Sequence, residues 1–112
     1  MAVDTLGEVI ATRRLLLVGS EGKELTVKMG KPRLSDHGDY CCPVQIVGAG
    51  DDDIRGIFGI DAFQSIQLAM EFIGKTLENW TAEHNGAKIR WELNEERGAG
   101  FPSGQSSRKS SG

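Results

Sequence analysis

The chain has little cysteine, and what it has is adjacent: Cys41 and Cys42. Neighbours on a strand point to opposite faces, and a bridge between them is far from ordinary disulfide geometry. Two thiols without wider spacing also make a poor structural metal site. The pattern predicts Cys42 as a small buried hydrophobe and Cys41 as a free, partly exposed thiol. Basic residues are not in excess, since 13 Lys and Arg stand against 16 Asp and Glu. That balance excludes an overall electrostatic footprint for nucleic acid. No apolar run approaches the ~18 residues of a spanning helix. The opening Met-Ala-Val-Asp-Thr-Leu-Gly-Glu lacks the charged and apolar regions of a signal peptide. A soluble, cytoplasmic protein with no membrane partner is expected. There is no P-loop, G-x-S-x-G, H-E-x-x-H or dinucleotide fingerprint, so no cofactor and no metal is expected.

At 112 residues the chain suits one domain. The one long stretch with helical periodicity runs from Gly59 to Gly86. Asp61 stands where an N-cap belongs, and Gln64 three residues on completes the aspartate form of a capping box, reaching back to the cap amide. Phe63, Ile66, Met70, Ile73, Leu77 and Trp80 recur every three or four residues and define one apolar face. Leu68 and Phe72 lie off that stripe and would widen it. Glu71 and Lys75 have the spacing and order of a helical ion pair. Asn85-Gly86 reads as the stop. Gly74, inside the helix, costs roughly 1 kcal/mol against alanine. It is read as letting the helix backbone approach a sheet.

The rest alternates like strand. Residues 8–18 form a first strand, in which Val9, Ala11, Leu15 and Leu17 compete with Ile10, Thr12, Arg14, Leu16 and Val18 for the inner face. Arg13 intrudes on the first set, and a bulge near the arginines would reconcile them. After a turn at 19–22, Leu25, Val27 and Met29 face inward on a second strand that closes a hairpin with the first. Residues 30–39 read as a polar connection. Cys42, Val44 and Ile46 face inward on a third strand, 39–47, where Pro43 calls for an edge position, a bulge or a missing ladder bond. A fourth strand spans 54–60, with Ile54, Phe58 and Ile60 on one face. A fifth follows the helix, with Ile89, Trp91 and Leu93 inward.

The predicted fold is therefore α+β, a two-layer sandwich. Its mostly antiparallel sheet of about five strands, in the order β-β-β-β-α-β, is covered on one face by one long helix. Residues 1–7 read as a flexible leader, 8–97 as the domain and 98–112 as a flexible tail poor in buriable side chains. Phe101 is the exception in that tail and is expected to dock on the core.

A sheet covered on one side leaves the other open. Glu24, Lys28, Gln45, Lys88, Arg90 and Glu92 would share that open face, and they are the candidate binding residues. Other features carry less. Asp51-Asp52-Asp53 lacks the alternating ligands and distant carboxylate of a calcium loop, and reads as a solvated turn. Asp36, His37 and Asp39 with Cys41 would suit a small hydrolase or metal-dependent enzyme only if they converged. His84 ends the helix beside Glu83, where it favours the dipole. Asn79-Trp80-Thr81 matches a glycosylation sequon but lies on the helix. Arg108-Lys109, among serines, reads as solvated tail.

Three stretches together, Arg13-Arg14-Leu15, Asp39-Tyr40-Cys41-Cys42-Pro43 and Gly59-Ile60-Asp61-Ala62-Phe63-Gln64-Ser65-Ile66-Gln67-Leu68-Ala69, with Gly100-Phe101-Pro102, resemble a family of small bacterial proteins labelled as a domain of unknown function. The resemblance covers roughly residues 8 to 102. It supports the architecture and implies no activity, substrate or catalytic residue. The leading functional expectation is a non-enzymatic protein, a monomer or weak homodimer. It would mask or bridge a protein partner through the open sheet face or the acidic turns. A His37-centred enzyme and a homo-oligomeric structural protein are the alternatives.

Overall fold

In the computed structural model, residues 5–18, 23–84, 88–91 and 101–102 are described. The expected turn at 19–22, the stop at Asn85-Gly86, Glu92, Leu93 and most of the tail lie outside them. The strands are β1 (Val9–Val18), β2 (Glu24–Gly30), β3 (Arg33–Leu34), β4 (Tyr40–Val47), β5 (Arg55–Gly59) and β6 (Lys88–Trp91), with helix α1 (Ala62–Glu83) between the last two. All described pairings are antiparallel. Across the sheet the order is β5-β4-β2-β1-β6, with two-residue β3 pairing the start of β4. The α+β sandwich is as predicted. The short β3 is a correction to the polar connection expected over 30–39.

Pro43 sits in β4, an interior strand, not at an edge. On one side β4 pairs β5 through Tyr40 to Val44. On the other, pairing with β2 ends at Val44 and pairing with β3 begins at Cys41. No strand residue stands opposite Pro43 there, so its missing N–H costs the sheet no bond on that side. Because β4 is flanked on both sides, it offers no free edge to a second copy.

The inner face follows from register. Leu15 lies opposite Leu25, Arg13 opposite Val27 and Ala11 opposite Met29, so the set containing Arg13 turns toward the helix. The bulge falls between Val9 and Ala11, ahead of the arginines. Leu15, Leu25, Val27, Met29, Cys42, Val44, Ile46 and Ile89 meet Ala69, Ile73 and Leu77 in one core. On β5 the face of Phe58, opposite Cys41, is the outer one. Ile57 and Arg55 stand opposite Cys42 and Val44, so Ile57 packs inward, while Ile60 is 79% exposed.

The helix begins as its capping signal predicts. The Asp61 carboxylate accepts from the Gln64 N–H at 2.8 Å. The Gln64 side chain accepts from Ile60 N–H at 2.6 Å, one residue before the expected cap amide. The buried line is Ser65, Ala69, Ile73, Gly74 and Leu77, and Phe63 is 85% exposed. Ile66, Met70 and Trp80 of the expected stripe also pack against the core, so Phe63 alone is a correction to it, and close approach explains it. A Cβ on Gly59 would lie 2.5 Å from the Ser65 amide nitrogen. The first turn thus rests on β5, and only small side chains fit between them, which turns Phe63 outward. Ion pairs among the described residues join Arg14 to Glu24 and Arg55 to Asp51. The expected Glu71–Lys75 pair is not among them.

Gly74 serves a different contact from the one expected. A Cβ there would collide with the carbonyl oxygen of Pro102, and would lie 3.5 Å from Cβ of Phe101. It admits the C-terminal segment rather than the sheet. Phe101 packs against the core, as its composition predicts.

Candidate functional site

The open face is where the six predicted binding residues were placed. Lys28 and Gln45 are directly opposite each other on β2 and β4. Glu24 is exposed and tied to Arg14, whose Nε and Nη2 donate to the two carboxylate oxygens at 3.2 Å each. Lys88 and Arg90 lie opposite Val18 and Leu16 on β6, at the far side of the sheet from Gln45. Glu92 lies outside the described residues. By register Glu24, Lys28 and Gln45 lie on one face, where Glu24 is already engaged by Arg14.

One end of that face is also covered. The segment Thr5–Glu8 runs beside the end of β2, where Arg33 Nη2 donates to the Thr5 carbonyl at 2.9 Å and Lys31 N–H to the Glu8 carbonyl at 2.7 Å. The carbonyl of Leu6 and the ring of Pro43 both crowd Gly30. Cys41 points to this face but is only 5% exposed, a correction to the partly exposed thiol expected. Burial pushes its thiol pKa upward. Cys42, on the helix side, is pushed up to about 11, chiefly by burial and then by its neighbour thiol. Both are free cysteines. Neither environment makes a thiolate.

Asp36 and His37 are exposed on a turn. The Ser35 hydroxyl donates to the Asp39 carboxylate and accepts from the His37 N–H at 3.1 Å. These bonds shape the turn itself. Among the described residues, no three His, Cys, Asp or Glu side chains are gathered as a metal set.

An organised concavity lies elsewhere, in a cleft of about 400 Å³ between α1 and the β4–β5 connection. It forms because β5 stops pairing at Arg55 opposite Val44, while β4 continues to Val47 and the chain loops outward. Apolar lining comes from Val44, Ile46, Ala49, Phe72 and Trp80. Asp51, Asp53, Arg55 and Glu83 supply the charge, and Gln45, Thr76 and Asn79 the neutral polar groups.

The walls are tied together. The Trp80 indole N–H donates to the Ala49 carbonyl at 3.0 Å, joining helix to loop. His84 caps the helix, stacks on Trp80 with centroids 4.1 Å apart, and places Nδ1 2.8 Å from the Trp80 carbonyl oxygen. In the loop, Gln45 Nε2 donates to the Asp52 carbonyl at 2.8 Å, and the Asp52 carboxylate accepts from Gly48 N–H at 3.1 Å. Asp51 accepts from Asp53 N–H at 3.0 Å and from Arg55 at 2.7 Å. The Asp53 amide, then Arg55, hold the Asp51 carboxyl below the usual range. The acidic run is exposed, as expected of a solvated turn, and its loop also forms one wall of the cleft.

Among the described open-face candidates, Gln45 also lines this cleft. The others that matter there, Asp53, Phe72, Thr76, Asn79, Trp80 and Glu83, were missed as a set. A signal for four of the six existed: Phe72, Thr76, Asn79 and Glu83 recur at helical spacing beside the main stripe. No pattern in the chain foretells that the loop after β4 folds back to face them.

Among the described residues no helix is long and apolar enough to cross a membrane. The family model described as "Domain of unknown function (DUF6968)" matches residues 11–103. The chain belongs to this family. Neither the curated proteins nor the solved structures compared with it gave a match.

Proposed function

We propose that this protein is a small non-enzymatic binding protein of the bacterial cytoplasm, which masks or bridges a protein partner through the α1–β4–β5 cleft and its acidic rim. The observation that carries the reading is the cleft itself. It is concave, has an apolar floor, and is rimmed by a few fixed polar groups, as binding sites commonly are. Its shape is set by hydrogen bonds between backbone and side chain on both walls, so little ordering entropy is lost on binding. The open sheet face is the weaker surface, because Glu24 is already engaged and one end is covered. A hydrolase centred on His37 has no supporting geometry: Asp36 and His37 stand on an exposed turn, and Cys41 is buried as a thiol.

The test is paired affinity capture from the source cells. One bait carries Asp53→Arg with Glu83→Arg, and another carries Lys28→Glu on the open face. The reading expects a partner held by the wild type and the Lys28 variant and lost by the cleft variant. Loss with Lys28→Glu alone would move the site to the sheet face. Capture of nothing but further copies of the chain would favour the homo-oligomer instead.

A further inference from the structure

Resting on that binding reading, we infer that the occupant of the cleft is an arginine side chain presented by the partner. Three features converge on it. The lining contains three carboxylates, Asp51, Asp53 and Glu83, against one guanidinium, Arg55. Arg55 is spent on Asp51 at 2.7 Å. No ion pair among the described residues engages Asp53 or Glu83. Among the described residues, two carboxylates of the cleft therefore lie outside any ion pair, one on the loop and one on the helix.

The second feature is the floor. Val44, Ile46 and Phe72 offer an apolar track for a methylene stem, and Trp80 stands on the same side of the helix as Glu83. A guanidinium is planar, weakly hydrated, and suited both to carboxylates and to aromatic faces; an ammonium needs fuller hydration and lacks the fork. The third is size. About 400 Å³ takes one long side chain with part of its backbone, near the lower end of ordinary ligand sites. A phosphate-bearing ligand is disfavoured by the same charges.

The experiment is an amide and indole NMR titration of the full chain. The probes are a blocked glycine–arginine–glycine tripeptide and its citrulline counterpart, which keeps the shape and removes the charge. The inference expects saturable shifts at the Trp80 indole N–H and across residues 49–55, with the citrulline peptide about tenfold weaker. Glu83→Gln and Asp53→Asn should each weaken the arginine peptide by about threefold to fivefold, the value of one partly exposed charge pair. Lys28→Gln should leave it unchanged.

Equal binding of the two peptides in the cleft would overturn the arginine assignment and leave the cleft as a binding site. Shifts confined to β1 and β2, or none with either peptide, would overturn it too. If cleft variants also retained the captured partner, the binding reading would fall separately.

Discussion

The guanidinium carbon of Arg13 lies 4.7 Å from the centroid of the Phe101 ring, on the helix side of the sheet. An arginine in line with Ala11, Leu15 and Leu17 would otherwise interrupt the inner face of β1. The ring from the C-terminal segment covers it, and the contact fastens residues 101–102 between β1 and α1. Phe101→Ala should therefore lower stability by about 1–2 kcal/mol, combining lost apolar burial with the cation–π contact. Urea unfolding measures this, and removal of the chain from residue 98 onward should cost at least as much.

Gly74→Ala offers a sharper test of the same docking. On propensity alone it should stabilise the helix by about 1 kcal/mol. Here the added methyl collides with the Pro102 carbonyl, so the gain should disappear and the segment should be displaced. In the Gly74→Ala background the Phe101→Ala penalty should shrink, and a double-mutant cycle reads that coupling.

Of the six residues on the helix's apolar stripe, Phe63 alone faces outward. Phe63→Ser should change stability by less than about 0.5 kcal/mol, as for an exposed site. Ile73→Ala should cost ~2–4 kcal/mol, as for a core cavity.

The thiols should be slow to react at neutral pH in the native protein and fast in urea, by a thiol-specific reagent. Their folded pKa values are raised, so the unfolded chain gives up these protons first. The stability contributed is complete below the ordinary thiol value of ~8.5 and is lost as pH rises toward about 11 for Cys42. Replacing both cysteines with alanine should flatten that alkaline slope.

Asp51 works in the opposite direction. Its folded pKa is depressed, so its contribution is present above the ordinary carboxylate value of ~3.9 and lost as pH falls through the lower folded value. Amide exchange at Asp53 should accelerate in that acid window, and Asp51→Ala should bring the faster exchange to neutral pH.

Much of the frame was legible in the chain. Asp61 and Gln64 announce the helix start, and Leu25, Val27 and Met29 alternate as a strand with one buried face must. What escaped depends on contacts between distant segments. Periodicity places Phe63 on the stripe, but the close approach of Gly59 to Ser65 leaves it no room there. Cys41 alternates outward, yet the chain crossing at Leu6 helps close that end of the face. Gly74 reads as helix-to-sheet packing because nothing local shows that Pro102 returns to it. The cleft was least legible, since it joins a helix face to a loop whose course is set by Gln45, Asp51 and Asp52.

The central claim is that the cleft, not the sheet, meets the partner. Hydrogen exchange of the protein alone and with its captured partner tests it most directly. The account predicts new protection in residues 49–55 and 72–83, with β1 and β2 unchanged. Protection confined to residues 24–28 and 88–91, with the cleft exchanging as in the free protein, would contradict it.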